Sequence, residues 1–410
     1  MKQGIRNMSD SNTLNLPAGQ KAFFNFLYAP SGGGYQNSLS FVETLIVLGF
    51  DFSNVTFFVF IGSELETICK ENNIACKAIS NSVLSKYRFE LLARTFVNKG
   101  DVVFSLFGPP MLGMDNRSIN IGGMAISNVF HKDVDFWGYL GKKSKAIKTI
   151  KDMYRKYRYR QLDYWIFETE LLKEKAINEF KFPAKRTEVI KMTPSILVSP
   201  ANVSKNCLEG KGLNVNTANN FLFLCGAHPN KRLHVLPELA KYLDDKGAEF
   251  RFIFTLTENA YYGDILVSAR KLGVEKYFKN IGPVKPEEVA SVINEVNFVC
   301  TFSLLESFSN NFVEAWAMSK PLLVTAKDWA TKSCNQAALY INVDNQSELN
   351  QQVYSIINNL KAQQHAVECG LAQLTVHPTA EEKAEKYISA INKIIKLGKI
   401  SSKERKRICL

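Results

Sequence analysis

Two runs of alternating strand and helix patterns, separated by a polar segment, constrain the fold of this chain more than any other feature. In the first run, an apolar strand at 22–29 is followed by a glycine turn, a helical pattern and a second strand at 55–61. After the Asn-rich segment 199–220, the alternation begins again with an apolar strand at 220–225. Alternating strands and helices are typical of parallel sheets covered by helices. The sequence therefore predicts two α/β domains of similar size.

Length and spacing indicate how these domains are arranged along the chain. A chain of 410 residues is too long for one ordinary core and suits two. Further strands are predicted at 101–106, 124–129, 164–168, 187–191, 249–256, 298–303 and 321–325. The predicted organisation is a flexible leader 1–20, a first domain 21–200, a linker 201–218, a second domain 219–378, a C-terminal helix 379–397 that crosses back to the first domain, and a basic tail 398–410 that frays.

Composition favours a cytoplasmic globular protein without a structural metal. No apolar run reaches the roughly 18 residues that cross a bilayer, and the polar stretch 1–20 lacks the apolar core of a signal peptide. The eight cysteines form no Cys-x-x-Cys pair, and the five histidines have no metal-ligand spacing. The net charge of +12 is compatible with an anionic membrane, an anionic substrate or nucleic acid, and composition does not choose among them.

Two glutamates separated by seven residues lie in the most informative stretch, 302–325. Glu306 falls in the loop after a buried strand, and Glu314 falls in the helix that follows. Ser309 or Asn310 is expected to cap this helix, whose free N–H groups also favour an anion such as a diphosphate. Ionised carboxylates are strong acceptors for sugar hydroxyl groups. The spacing therefore favours a site for a sugar linked to a diphosphate, although an acid near a helix start is also favourable without any function.

This stretch resembles the retaining GT-B glycosyltransferases of family 4, the glycosyl transferases group 1. Their hallmark is Glu-x7-Glu, then Ala, a small residue, Lys-Pro and a short strand, and the chain has Glu306-x7-Glu314-Ala315 followed by Lys320-Pro321. The resemblance implies two Rossmann-like doubly wound domains that face each other across a cleft. It also implies that Glu306 contacts the donor sugar and that Glu314 contacts the ribose of the nucleotide.

The loop between the two glutamates departs from the family pattern. The family commonly has Gly-Phe-Gly-Leu-Pro where this chain has Ser-Phe-Ser-Asn-Asn, residues 307–311. Backbone N–H groups of Ser309, Asn310 and Asn311 are still expected to face a phosphate. The identity of the donated sugar does not follow from the resemblance.

A basic turn after the strand 220–225 is the second part of the predicted donor site. It contains Gly226, Lys231 and Arg232, where the family has a glycine, often an arginine, and a lysine that hold the donor phosphates. A cation there neutralises the charge that builds on a leaving diphosphate, which is the main catalytic requirement without a metal. A solvated basic turn is the simpler interpretation of these residues alone, and the downstream glutamate pair favours phosphate binding.

Three further elements receive site assignments from the resemblance. Gly33 and Gly34 match a glycine-rich loop that closes over donor and acceptor, since glycine lets the backbone approach a phosphate. His131, expected at the end of a strand, matches a residue presented to the donor sugar. Pro283 and Val284 match the turn beneath the nucleotide base.

The segment 142–160 carries nine Lys or Arg residues and one acid. Five apolar or aromatic residues fall on or near one face of the helix that it predicts: Ile147, Ile150, Met153, Tyr154 and Tyr157. Such a helix suits an anionic membrane surface or a lipid-diphosphate acceptor held there. A solvated basic helix with one face on its own core is equally compatible with the pattern.

Together these features predict a retaining, metal-independent hexosyltransferase that uses a nucleotide-sugar donor and no other cofactor. The expected acceptor is a glycan or a lipid-linked saccharide, in the synthesis of bacterial surface polysaccharide such as O-antigen or capsule, at the inner face of the plasma membrane. No nucleic-acid partner is expected, and Asp133-Val134-Asp135 is discounted as a metal motif because it lies in the wrong domain. The alternatives are a sugar-nucleotide epimerase or hydrolase of the same fold, or a silent relative that binds nucleic acid or a partner.

Overall fold

The computed structural model describes residues 12–114, 117–213 and 219–408. Parts of the predicted leader (1–11), linker (214–218) and tail (409–410) therefore lie outside the described residues. The described residues form two compact units, the first containing 12–114, 117–132, 140–193 and 378–408, the second 133–139, 194–213 and 219–377. Each unit contains one parallel sheet, which confirms the predicted α/β class.

The sheet of the first unit reverses its strand order at its centre. Its strands are β1 (Ala22–Asn25), β2 (Val55–Phe60), β3 (Cys76–Ile79), β4 (Val102–Ser105), β5 (Ile119–Met124), β6 (Tyr164–Phe167) and β7 (Thr187–Val189). Their order is β3-β2-β1-β4-β5-β6-β7, and every pair is parallel. Because the order reverses between β1 and β4, ligands are expected at the carboxyl ends of these two strands.

Before residue 194, the described part of the first unit contains the helices α1 (Gly32–Val47), α2 (Glu64–Glu71), α3 (Val83–Ala93), α4 (Lys142–Tyr159) and α5 (Glu170–Phe180). The prediction of a strand at 124–129 was wrong, since β5 ends at Met124 and residues 127–129 form a 3-10 turn. The strand β5 contains Gly122 and Gly123, so its sequence lacks the continuous apolar run that would have predicted it. They are needed because a Cβ atom on Gly123 would lie 1.8 Å from the carbonyl oxygen of Leu106.

The described residues of the second unit repeat the same architecture with six strands. These are β8 (Asn220–Phe223), β9 (Arg251–Phe254), β10 (Phe278–Asn280), β11 (Phe298–Thr301), β12 (Leu322–Thr325) and β13 (Leu339–Ile341). Their order is β10-β9-β8-β11-β12-β13, so this sheet reverses between β8 and β11. Phenylalanines pack against one another across its centre, for example Phe221 against Phe298, whose ring centroids are 4.9 Å apart.

Helices cover this second sheet and lead back to the first unit. They are α6 (Cys207–Gly210), α7 (Leu236–Asp245), α8 (Ala260–Lys271), α9 (Val289–Asn294), α10 (Asn310–Ala317), α11 (Asp328–Cys334), α12 (Gln346–Ile357) and α13 (Leu360–Leu374). The last two helices, α14 (Ala380–Leu397) and α15 (Ser402–Arg405), belong to the first unit. There α14 packs on α1, with the rings of Tyr387 and Phe41 5.4 Å apart.

The basic tail does not fray in its described part, contrary to expectation. Asp163 is fully buried and pairs with Arg405 at 2.6 Å and with Lys399 at 3.6 Å. Its carboxylate also accepts the backbone N–H of Ile400 at 2.9 Å. The buried carboxylate of Asp163 thus holds the tail against the first unit, although the positive charge of the tail alone had indicated solvent exposure. Within the described residues, no helix combines the length and apolar character needed to span a membrane.

Candidate active site

The two predicted donor motifs meet at one edge of the second sheet. The basic turn follows β8, and the loop that contains Glu306 follows β11. These strands are parallel neighbours, so their carboxyl ends lie side by side. The reversal of strand order at this point opens the position where open α/β sheets bind ligands.

Lys231 and Glu306 form an ion pair at the centre of this edge. Lys231 Nζ lies 2.6 Å from Glu306 Oε1, and the two side chains are only 25% and 15% exposed. Ser303 Oγ donates to the same carboxylate oxygen at 2.5 Å. Burial alone would lower the pKa of Lys231, but the facing Glu306 carboxylate outweighs it and raises the pKa above the ordinary value. The lysine is therefore a cation at neutral pH, held beside the first glutamate.

Asn230 fixes the two loops relative to each other, a role that the sequence did not reveal. Its Nδ2 donates to the Leu305 carbonyl at 3.0 Å, and its Oδ1 accepts the Leu305 N–H at 3.2 Å. Its backbone carbonyl also accepts the N–H of Leu304 at 2.8 Å. The side chain is only 9% exposed. This amide links the residue before Lys231 to the residue before Glu306, so it determines the spacing of the ion pair.

The Asn230→Ala variant is expected to lower turnover by about tenfold and to destabilise the fold by about 1–3 kcal/mol, because it leaves a buried N–H and a buried carbonyl unsatisfied. Turnover and thermal unfolding would be measured on the same preparation. Asn230→Asp keeps the acceptor and removes the donor, so an intermediate loss is expected. Full activity in the Ala variant would contradict a positioning role.

The helix α10 begins without a side-chain cap from the residue that precedes it. Ser309 precedes the helix, and its hydroxyl makes no capping hydrogen bond with the described residues, contrary to the expected cap. The side chain of Asn311 is used internally, since it donates to Leu224 O at 3.3 Å and to Thr301 Oγ1 at 3.1 Å. Anion binding at this helix start would therefore rely on backbone groups of Ser309, Asn310 and Asn311.

Glu314 lies in the second turn of α10 and is 6% exposed. Burial raises the pKa of its carboxyl group from 4.5 to about 7. Among the described residues, no side chain or backbone group makes a hydrogen bond or ion pair with this carboxylate. A buried acid without a protein partner carries a desolvation cost that a hydroxyl-bearing ligand would offset.

Nucleotide binding by the wild-type protein is expected to weaken as the pH falls from about 8 to about 6, because protonation of Glu314 near its pKa of about 7 removes the stronger acceptor. Stability has the opposite dependence. The folded pKa lies above the unfolded value, so the contribution of Glu314 to stability is fully present below pH 4.5 and is lost as the pH rises through about 7. Nucleotide affinity measured at both pH values should change less in Glu314→Gln. Equal pH profiles would contradict the assignment.

Arg232 is engaged away from the ion pair. Its guanidinium donates to Asp344 Oδ1 at 2.8 Å and to the Val343 carbonyl at 2.7 Å, and Lys327 contacts the other oxygen of Asp344. Burial would raise the pKa of Asp344, but its hydrogen bonds and the two cations hold it below the ordinary value. The arginine expected to supply a second charge to the phosphates therefore links the basic turn to the loop after β13.

The remaining predicted residues divide between the two units. Gly226 is exposed, with open space where a Cβ atom would lie. Pro283 and Val284 follow β10 at the same edge of the second sheet. Gly33, Gly34 and His131 belong to the first unit, which is described by itself.

The first-unit residues have local settings that differ from expectation. Gly33 and Gly34 lie in the first turn of α1 rather than in an open loop, and only the preceding Gly32 has a positive φ of 68°. His131 follows the 3-10 turn at 127–129 instead of ending a strand, and it is 4% exposed. These corrections arise because the glycines initiate a helix and the strand ends earlier.

An aromatic segment at 133–139 packs beside the basic turn within the second unit, which the sequence did not predict. The Tyr139 hydroxyl lies 3.2 Å from His228 Nε2, and the Phe136 ring stacks over the same imidazole. His228 Nδ1 accepts the N–H of Asn230 at 3.0 Å, so a neutral His228 carries its proton on Nε2. His228 thereby joins this segment to the turn that holds Lys231.

No cluster of three or more His, Cys, Asp or Glu side chains that could hold a metal ion occurs within residues 12–114, 117–213 and 219–408.

Comparison with known proteins found a family match within the second unit. Residues 218–359, which include the basic turn and both glutamates, match the model of the glycosyl transferases group 1 family. No curated protein sequence matches the chain.

Three solved structures share the fold of nearly the whole chain. A glycosyltransferase from Rickettsia africae is 13% identical with a TM-score of 0.68, covering 93% of this chain and 100% of its own. Sucrose-phosphate synthase from Thermosynechococcus elongatus is 12% identical with a TM-score of 0.69, covering 92% and 100%. HepE from Anabaena, in complex with UDP-glucose, is 14% identical with a TM-score of 0.64, covering 90% and 98%. Residues 218–359 thus match the glycosyl transferases group 1 family, and the chain as a whole has the predicted GT-B fold.

Proposed function

We propose that the protein is a retaining glycosyltransferase that moves a sugar from a nucleotide-sugar donor to a glycan or lipid-linked saccharide without a metal ion. The observation that carries this proposal is the Lys231–Glu306 ion pair, 2.6 Å long, at the carboxyl edge of a group 1 glycosyltransferase domain. The helix α10, which contains the buried Glu314, begins after the same strand, β11.

In this proposal the phosphates, the sugar and the ribose of the donor are each bound by a different group of the site. Negative charge builds on the diphosphate as its bond to the sugar breaks, and Lys231 and the backbone N–H groups of α10 stabilise that charge. Once Lys231 turns to the phosphate, Glu306 accepts hydroxyl hydrogens of the donor sugar. Glu314, which lacks a partner among the described residues, accepts those of the ribose. Arg232 holds the turn rather than the phosphate.

A nucleotide-sugar donor is supported by the HepE structure, which has the same fold and contains UDP-glucose. Retention of the anomeric configuration and independence from metal rest on the resemblance to family 4. Neither property of the reaction follows from the fold.

Transfer at an anionic membrane is supported by the outer surface of α4. Ile147, Ile150, Met153, Tyr154 and Tyr157 are each between 47% and 65% exposed, so they do not form a face buried on the protein's own core. Basic residues surround them on a helix of 18 residues. Such a surface favours the headgroup region of an anionic bilayer, and a role in bacterial surface polysaccharide synthesis would place the acceptor there.

A transfer assay tests this proposal. The protein would be incubated with a panel of nucleotide sugars and with lipid-linked or free saccharides, in the presence of EDTA, and the product analysed by NMR. Acceptor-dependent release of one nucleoside diphosphate, with the donor's anomeric configuration in the product, is expected. Release without acceptor would favour a hydrolase, isomerised donor an epimerase, and no turnover of any donor a silent relative.

A further inference from the structure

The first unit contains a cavity of about 530 Å³ at the point where its strand order reverses. Its walls come from the loops after β1 and β4 and from one side of α4, and all of its lining residues belong to the first unit. Four aromatic side chains, Tyr28, Phe107, Tyr154 and Tyr159, give it a largely apolar lining. The first unit therefore has a ligand-sized site lined by its own residues.

A glycine in the loop after β4 leaves space for the ring of Tyr28. Gly108 has a φ of 149°, and a Cβ atom there would lie 2.2 Å from the Tyr28 ring. The Tyr28 hydroxyl in turn donates to Glu90 at 2.8 Å, which fixes the ring. The cavity is thus defined by packing that tolerates no larger residue at position 108.

Every charged residue that lines the cavity is a cation: Lys151, Arg155 and Arg158. Arg158 is held by Glu90 at 3.7 Å, and Arg155 is held by Asp152 at 2.9 Å. Lys151, by contrast, has no ion pair or hydrogen bond in the part of the chain that the structure describes. Lys151 therefore contributes a positive charge without an acidic partner among the described residues, whereas Arg155 and Arg158 are each paired with an acid, in a cavity that is mainly apolar.

The start of α1 adds a second feature that favours an anion. Ser31 and Gly34 line the cavity at the first turn of this 16-residue helix. The Ser31 side chain makes no capping hydrogen bond with the described residues. First-turn N–H groups and the helix dipole attract negative charge, so they and Lys151 favour the same kind of ligand.

The cavity also adjoins the exposed apolar surface of α4. Tyr154 lines the cavity and is itself one of the five exposed apolar or aromatic residues of that helix. Ile147, Ile150 and Tyr157 lie three or four residues from Tyr154 or from each other, so they continue the same face. An occupant with a charged head in the cavity would have an apolar path along this face.

We infer that this cavity binds the phosphate-bearing head of a lipid diphosphate, with its hydrocarbon chain along the exposed face of α4. This inference rests on the proposed function, because it specifies the acceptor as a lipid-linked molecule and not a neutral free glycan. Charge selects the diphosphate through Lys151 and the start of α1, and the aromatic walls pack against the apolar or sugar portion next to it.

Calorimetric titration with farnesyl diphosphate tests the inference, with inorganic pyrophosphate and farnesol as probes of the two halves. The wild-type protein is expected to bind farnesyl diphosphate at least tenfold more tightly than either. Lys151→Gln should weaken that binding by about tenfold or more, the effect of one charged hydrogen bond. Lys143→Gln, on the same helix but outside the cavity lining, should leave it within about twofold.

Equal affinity in Lys151→Gln and wild type, or equal binding of farnesol and farnesyl diphosphate by wild type, would overturn the inference. Pyrophosphate binding as tight as that of farnesyl diphosphate would also overturn it, because the site would then recognise a free anion. Nucleoside diphosphate binding is measured in parallel and should not differ between Lys151→Gln and wild type. If nucleotides bind and the lipid diphosphate does not, the inference fails while the proposed donor site stands.

Discussion

The Glu306→Gln variant is expected to lose turnover by about 10²- to 10³-fold, the effect of removing one preorganised electrostatic group from an active site. Gln keeps the size of the side chain, and its amide can still accept from Ser303, so folding should survive. The variant loses the charge that faces Lys231 at 2.6 Å. Without that carboxylate, burial is the main influence on the lysine and lowers its pKa.

Affinity distinguishes this catalytic effect from general damage to the site. In Glu306→Gln, Lys231 no longer has an anionic protein partner, so binding of a nucleoside diphosphate should be kept or improved while transfer is lost. Steady-state kinetics and nucleotide titration of the same protein would measure both. Glu275→Gln is a matched control, because Glu275 forms an exposed ion pair with Arg270 in the same unit. Unchanged turnover in Glu306→Gln would reject its assignment.

Replacing Lys231 with Ala is expected to weaken nucleoside diphosphate binding by about 10- to 100-fold, since a hydrogen bond to a charged group contributes about 1.5–3 kcal/mol. Turnover should fall as well, because the same cation stabilises the charge that builds on the leaving diphosphate. Lys231→Ala therefore differs from Glu306→Gln by losing both affinity and rate. Titration and initial rates at saturating donor would separate the two losses.

A surface lysine of the same unit provides the control for this variant. Lys241→Ala removes an exposed i,i+4 pair with Asp245 on α7 and should change neither quantity. Nucleotide affinity in Lys231→Ala equal to that of Lys241→Ala would show that the lysine does not contact the phosphates.

The sequence was sufficient for those features that depend on local pattern. The β11 strand, the α10 helix and the Glu306–Glu314 spacing follow from a buried apolar run, a polar turn and an amphipathic helix, and the structure has them. Lys231 lies 75 residues from Glu306, yet each follows a strand, and parallel neighbours bring such loops together. The family resemblance supplied the pairing of these two motifs, which periodicity alone does not.

Features that depend on tertiary partners were not predictable. Nothing near Arg232 in the sequence indicates that Asp344 binds it 112 residues later. Likewise, the charge of the tail indicated solvent exposure, whereas the buried Asp163 carboxylate holds it in place. Asn230 was visible as a polar turn residue, but its two hydrogen bonds to Leu305 exist only after β8 and β11 pair. Long-range contacts of this kind have no local sequence pattern.

A thermal unfolding screen against UDP, GDP, dTDP, CDP and ADP, with EDTA present, tests the central claim most directly. At a nucleotide concentration of about 100 times Kd, binding adds about 2.7 kcal/mol, which raises the Tm of a domain of this size by roughly 5–10 °C. We predict such a rise with one nucleotide in the wild-type protein and a smaller one of about 1–6 °C in Lys231→Ala at the same concentration, because binding weakened 10- to 100-fold adds only about 0.4–1.4 kcal/mol. No rise with any nucleotide, or an equal rise in both proteins, would contradict a donor site at Lys231 and Glu306.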